Sequence, residues 1–247
     1  MAVLQRRKII IEGIVQGVGF RPFIYQLAAR FGLTGSVCND SRGVTIEVEG
    51  EPATLNLFID SISRERPPLS VIQSLESLDL PVLGVSGFAI MKSSADEARR
   101  AQISPDTFVC DDCLQELFDP ADRRYHYPFI NCTNCGPRWT IIGRIPYDRP
   151  HTSMARFTMC PACQAEYDDP RDRRFHAQPN ACPQCGPRVW LQDENGPVRG
   201  HTDPLETAAG LRAVGRILAI KGLGGFHLAV RADSDKAVQR LRRCKNR

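Results

Sequence analysis

The sequence has no apolar run long enough to span a bilayer. Met1 to Ile11 lacks the charged-then-apolar build of a secretory leader. A cytoplasmic, reducing location is therefore expected, where cysteines serve as metal ligands rather than disulfides. The chain also lacks a strong charge of either sign. Its 32 Lys and Arg against 28 Asp and Glu leave a net charge of only +4. That bias is too weak to argue for a nucleic acid, so no DNA partner and no membrane partner are expected. A third shortage is local: residues 104–190 contain few aliphatic side chains. A block with so little apolar material is expected to need metal to fold.

What that block does contain is cysteine. Cys110-x-x-Cys113 is followed after 18 residues by Cys132-x-x-Cys135, and the pattern returns 50 residues later as Cys160, Cys163, Cys182 and Cys185. Asp119-Pro120, Arg123-Arg124, His126 and Gly136-Pro137-Arg138 return at the same offset as Asp169-Pro170, Arg173-Arg174, His176 and Gly186-Pro187-Arg188. This is an internal duplication. Two thiolates three apart grip one ion, and a second pair completes a tetrahedral sulfur shell, which suits structural zinc. Iron–sulfur ligation usually shows other spacings. Two structural zinc ions are expected. A closed four-sulfur shell leaves no open position for chemistry. Pairing within each copy (fingers 110–135 and 160–185) is the simpler arrangement. Pairing outer with outer and inner with inner satisfies the same spacing. His126 and His176 are expected to pack or to contact a neighbouring domain, because four cysteines already fill each shell.

Residues 1–93 alternate between two periods. Lys8–Val15, 35–39, Val44–Val48, Val71–Leu80 and Phe88–Met91 predict strands, while Pro22 to about 32 and Pro52–Ile62 predict helices. The order is that of a ferredoxin-like βαββαβ fold, so the expected class is α+β. Between the first strand and first helix lies Gln16-Gly17-Val18-Gly19-Phe20-Arg21. Glycines let several backbone N–H groups converge on an anion, and the helix adds its positive end. Arg21 can fork onto phosphate oxygens, and its charge opposes the helix dipole unless an anion is bound. On residue physics alone, Asn39 fits a turn as well as a site. Alternation turns Cys38 away from Asn39 and toward a core position.

Ser93–Ala101 is polar and predicts a linker. Ser104 with Pro105 predicts a helix start, and 139–158 an extended connector across the repeats. From Pro204 the composition shifts: helix over Leu205–Val214, buried strand over Arg216–Ile220, glycine loop 221–225, strand over Phe226–Val230, then a helix from Ser234. The loop carries Lys221, Gly224 and Gly225 as candidate nucleotide-phosphate contacts, although it is not a Walker loop. Two strands in about 45 residues cannot close a core. Residues 204–247 are therefore expected to be the beginning of an α/β domain.

Gly13-x-Val15-Gln16-Gly17-Val18-Gly19-Phe20-Arg21 with Gly35-Ser36-Val37-Cys38-Asn39 and Asp40-Ser41-Arg42-Gly43 resembles the acylphosphatases. That resemblance implies that Arg21 and the 16–20 loop bind the phosphate of an acyl phosphate and that Asn39 orients the attacking water. The whole order, with the runs Tyr127–Arg138, Pro146–Pro150 and Asp172–Pro179 and the stretch 217–229, resembles the N-terminal part of the HypF carbamoyltransferases of [NiFe]-hydrogenase maturation. Three parts are then implied: an acylphosphatase-like domain (1–93), a duplicated four-cysteine zinc-finger region (104–190) and the start of a YrdC-like nucleotide-binding domain (204–247). The implied reaction is cleavage of carbamoyl phosphate. The complete enzyme would follow with ATP- and Mg-dependent carbamoyl adenylate formation and transfer to the C-terminal cysteine of HypE. Two other functions use the same residues: a general acylphosphatase with a zinc tail, and a zinc-ribbon module binding nucleic acid or protein.

Overall fold

The computed structural model describes residues 4–93, 102–198, 203–222 and 225–246. All but Ser93 of the expected linker lies outside them. The chain divides into two compact units, 1–187 and 188–247.

The first unit begins with β1 (Gln5–Gln16), α1 (Phe20–Arg30), β2 (Thr34–Asn39), β3 (Gly43–Gly50), α2 (Pro52–Arg64) and β4 (Val71–Leu80). These strands form an antiparallel sheet in the order β4-β1-β3-β2, which is the ferredoxin-like arrangement read from the sequence. A short β5 (Phe88–Ile90) runs parallel to β2, and β6 (Gln102–Ile103) runs parallel to β1. The period-2 residues Ile9, Ile11, Val44, Ile46 and Val48 face the period-3.6 residues Ile24, Leu27, Leu55, Phe58 and Ile62 in one core. Cys38, expected in that core, is half-buried on the opposite sheet face from Val37 and Asn39. Helix α1 starts at Phe20, two residues before Pro22, because Gly19 takes a left-handed conformation (φ 74°) and caps it.

No helix forms at Ser104. Helix α3 (Asp111–Phe118) starts instead after Cys110, and α4 (Pro161–Asp168) starts after Cys160. The second cysteine of each pair, Cys113 or Cys163, is fully buried in the first turn. A thiolate there meets the positive helix end, which is why the helix begins at the metal knuckle.

The two finger copies are interlocked by exchange. Arg123 and Arg124 of the first copy pair with Glu166 of the second, while Arg173 and Arg174 of the second pair with Glu116 of the first. Arg124, 1% exposed, donates to Glu166 (2.9 Å), the Ala181 carbonyl (2.9 Å) and Asn180 Oδ1 (3.0 Å). Arg174 donates to the Asn131 carbonyl (3.1 Å) besides Glu116. The outer arginines reach the sulfur shells, Arg173 to Cys113 Sγ (2.9 Å) and Arg123 to Cys163 Sγ (3.3 Å). Each copy thus supplies positive charge to the other's thiolates.

The second unit contains a hairpin of β7 (Gln192–Asp193) and β8 (Gly196–Pro197), α5 (Pro204–Ala213), a hairpin of β9 (Leu218–Lys221) and β10 (Phe226–Ala229), and α6 (Asp235–Lys245). The strand expected to be buried is largely exposed, because among the described residues β9 has only β10 beside it. Ala237 is the one buried residue among the described residues of this unit. Such a hairpin and two helices do not make a core. Among the described residues no helix is long and apolar enough to cross a membrane.

The arginine exchange predicts a pH signature. Burial pushes the Glu166 carboxyl up, but hydrogen bonds from Arg124 and Arg123 outweigh it and bring it down to about 2, below its ordinary 4.5. Its stabilisation is therefore complete above about pH 4.5 and is lost as pH falls toward about 2. Glu166→Gln should lower stability by about 1–3 kcal/mol near pH 7, and the gap to wild type should close in acid. Urea unfolding of both proteins across pH measures this. A gap independent of pH would contradict it.

Candidate functional site

The turn between β1 and α1 is shaped by two left-handed glycines, Gly17 (φ 75°) and Gly19 (φ 74°). Both also permit close approach. A Cβ on Gly17 would stand 3.1 Å from Arg138 Cδ and 3.3 Å from the Tyr147 ring, and one on Gly19 would stand 3.2 Å from Thr133 Cβ. Arg21, in the first turn of α1, is 7% exposed, and Asn39, at the end of β2, is 1% exposed. They line one small cavity of about 20 Å³ together with Gly17, Gly19 and Phe20. Asn39 Oδ1 is buried with no hydrogen-bond partner. Buried polar atoms are rarely left so, and a pocket with an open acceptor is suited to a bound water or ligand.

Two residues of the expected phosphate loop do not line this cavity. The Gln16 side chain donates to the Asp40 and Gly43 carbonyls (2.7 and 2.8 Å) and accepts from the Tyr147 N–H (3.0 Å). It ties the β2–β3 turn to the connector. The Val18 side chain is buried in the apolar core.

The other wall comes from the finger region. Arg138, 2% exposed, directs all five of its N–H donors to backbone carbonyls. One goes to Gly17, two to Cys135 (3.0 Å) and Pro137 (2.8 Å), and two to Cys132 (3.0 Å) and Thr133 (2.8 Å). A single guanidinium thus fastens the second knuckle of the first finger to the glycine loop. The connector, far from extended, folds through two short 3-10 turns over 149–151 and 153–156. It is pinned to the second finger by Arg149, which donates to the Gln178 and Asn180 carbonyls (2.6 and 2.9 Å). It places Asp148 Oδ1 2.7 Å from Arg21 Nη2. Arg21 Nη1 also reaches Ser93 Oγ at 3.4 Å. His176, Ala177 and Gln178 complete the cavity lining. Burial, and then the charge of Arg21, hold His176 down to about 4, so its ring is neutral at neutral pH. Burial pushes the Tyr147 hydroxyl up to about 12.

Arg138, Tyr147, Asp148 and His176 are the residues that sequence reasoning did not place here. The repeat offset held a partial signal. His126, the counterpart of His176, stacks on Tyr125 at 3.9 Å, and Arg188, the counterpart of Arg138, is exposed. Only one copy of each faces the cavity, and nothing in the duplicated motif says which.

The eight knuckle cysteines form two tetrads within the copies: Cys110, Cys113, Cys132 and Cys135, and Cys160, Cys163, Cys182 and Cys185. The alternative outer-with-outer pairing is excluded. Sulfur–sulfur contacts run 3.5, 3.7 and 3.9 Å in the first and 3.6, 3.7 and 3.8 Å in the second. A tetrahedral shell with zinc–sulfur bonds of about 2.3 Å requires sulfurs about 3.8 Å apart, so both tetrads fit the ion. Neither His126 nor His176 belongs to a tetrad. In the second unit, Lys221 lies at the end of β9 with its ammonium 5.4 Å from the Phe226 ring centroid. The Gly222 N–H donates to the Gly225 carbonyl (2.7 Å), closing a hairpin turn, and Gly224 lies outside the described residues.

Three family models match the chain: acylphosphatase over residues 7–90, the HypF finger over 109–142 and 159–192, and telomere recombination (Sua5/YciO/YrdC) over 211–247. Carbamoyltransferase HypF2 of Cupriavidus necator is 54% identical over 98% of the chain and 30% of that relative. Carbamoyltransferase HypF of Synechocystis is 51% identical over 99% of the chain and 32% of that relative. A crystal structure of full-length HypF in the phosphate- and nucleotide-bound form matches with a TM-score of 0.94 and 50% identity, covering 100% of this chain and 32% of that one. The chain thus spans about a third of the length of these relatives. An acylphosphatase-like sheet, two HypF fingers and the start of a Sua5/YrdC domain, in this order and at this identity, place the chain in the HypF carbamoyltransferase family as its N-terminal region.

Proposed function

We propose that this chain hydrolyses carbamoyl phosphate at the cavity between the glycine loop and the fingers. The observation that carries this reading is the convergence of Arg21 and the unpartnered Asn39 Oδ1 on one small buried space beside Gly17 and Gly19. Arg21 and the loop amides hold the phosphoryl group and stabilise the charge that shifts onto it. Asn39, a donor and acceptor at once, orients the attacking water. Attack breaks the bond between phosphorus and the carbamoyl oxygen, giving inorganic phosphate and carbamate. A matching full-length HypF is described as phosphate- and nucleotide-bound, which supports an anion site of this kind.

In the complete protein, residues 1–93, 104–190 and 204–247 serve as acylphosphatase-like, zinc-finger and incipient YrdC-like domains. Carbamate, labile in water, is activated by ATP with Mg to carbamoyl adenylate, with Lys221, Gly224 and Gly225 as weak candidate nucleotide contacts. The carbamoyl group then passes to the C-terminal cysteine of HypE, toward the cyanide ligand of a [NiFe] hydrogenase. The tetrads hold two structural zinc ions, whose role is to shape the wall that Arg138 and the connector present to the loop. Eight cysteines gathered as metal ligands fit a reducing cytoplasm.

Two outcomes are expected. Phosphate release from carbamoyl phosphate should fall at least about a hundredfold in Arg21→Ala and in Asn39→Ala. Wild-type rates in either variant would overturn that residue's assignment. Metal analysis should return two zinc ions per chain, and at most one in Cys163→Ala. Bound iron, or an unchanged zinc count, would contradict the tetrads as zinc sites.

A further inference from the structure

Arg21, which lines the cavity, has one charged partner that phosphate chemistry does not call for. Asp148 Oδ1 is bonded to Arg21 Nη2 at 2.7 Å, and its side chain is 21% exposed. Asp148 Oδ2 has no partner among the described residues. A carboxylate beside a phosphate site is unfavourable by simple repulsion. It becomes favourable where the other end of the ligand presents N–H donors, since an ionised carboxylate only accepts. The position is held rather than incidental. Tyr147, the residue before, is anchored to Gln16 through its backbone N–H (3.0 Å). Arg149, the residue after, is anchored to the second finger: its N–H donates to Gln178 Oε1 (2.7 Å) and its guanidinium to backbone carbonyls. Neighbours on both sides thus fix Asp148 against Arg21, beside the cavity that Arg21 and Tyr147 line.

Carbamoyl phosphate and acetyl phosphate are nearly the same size. They differ where one carries NH2 and the other CH3. A pocket that relies on apolar contact cannot separate such isosteres well, whereas a pocket that accepts a hydrogen bond from the NH2 can. We propose that Asp148 is the specificity residue of this site, its carboxylate accepting a hydrogen bond from the carbamoyl NH2 while Arg21, its ion-pair partner, holds the phosphoryl group. The inference rests on the reading of the site as a carbamoyl phosphate hydrolase and adds the group that selects the acyl part. With a methyl group in that place, Asp148 Oδ2 would lose water and gain no donor, which is the source of the discrimination. The cation that fixes Asp148 is the same one that binds the phosphate, so the two ends of the substrate are held at a set separation.

The test compares phosphate release from carbamoyl and acetyl phosphate by the metal-loaded chain and by Asp148→Ala and Asp148→Asn. Inorganic phosphate binding is followed by calorimetry. In wild type, kcat/KM should favour carbamoyl phosphate. In Asp148→Ala that preference should fall by about tenfold to a hundredfold, with inorganic phosphate still bound. Asp148→Asn, which keeps one acceptor oxygen, should retain part of the preference. Equal losses for both substrates, or loss of phosphate binding, would mean that Asp148 acts only by placing Arg21, and would overturn the inference. A wild type that cleaves both substrates equally would also overturn it while leaving acyl phosphate hydrolysis standing. A wild type that cleaves neither would overturn the underlying reading and the inference with it.

Discussion

Five hydrogens of one buried guanidinium join the two halves of the site. Arg138 ties four carbonyls around a cysteine knuckle to the Gly17 carbonyl of the glycine loop. A buried arginine is tolerated only when its donors are matched, and here the fork finds a partner for each. The knuckle carbonyls point correctly only while Cys132 and Cys135 are gathered with Cys110 and Cys113. The shape of the cavity is thereby made to depend on a cysteine tetrad in another part of the sequence.

The fingers in turn depend on one another. The second copy's buried cluster is little more than its cysteines, and each copy places two arginines on the other's helix, at Glu116 or Glu166, and near the other's sulfurs. A tetrathiolate zinc shell carries net negative charge, so guanidinium donors from across the duplication offset it. The exchange is symmetric, yet the two halves meet different neighbours. His176 and Arg138 face the cavity, while His126 stacks on Tyr125 and Arg188 is exposed. Duplication supplied the scaffold, and one member of each pair was left to meet the loop.

How much of this is legible in the sequence follows from the range of each interaction. Alternation in β1 and β3, helical spacing in α1 and α2, and the cysteine offsets are local patterns, and they lead to the observed sheet order and to both tetrads. Arg21 and Asn39 stand out by local chemistry and by family resemblance, and they meet in one cavity. Gln16 belongs with the phosphate contacts by its place in the loop, but its amide bonds the β2–β3 turn and the connector instead. Asp148 lies 127 residues from Arg21, and no periodicity links them. The expected helix start at Ser104 fails because its hydroxyl donates to the Pro105 carbonyl and caps no turn, and α3 begins only after Cys110. The buried strand expected over 216–220 fails because burial needs partners, and β9 has one.

The central claim is that the fingers, held by metal, build one wall of the proposed phosphate site. Backbone amide chemical shifts of Gly17, Val18 and Gly19, with hydrogen exchange at Tyr147, whose N–H donates to Gln16 Oε1, before and after removal of metal by a chelator, test it most directly. The account predicts that metal removal unfolds the fingers, moves the three loop resonances and greatly speeds exchange at Tyr147. Exchange in the core strands β1 and β3 should stay slow. Unchanged resonances of Gly17, Val18 and Gly19 in a chain whose fingers have unfolded would contradict it, because the loop would then hold its form without the wall.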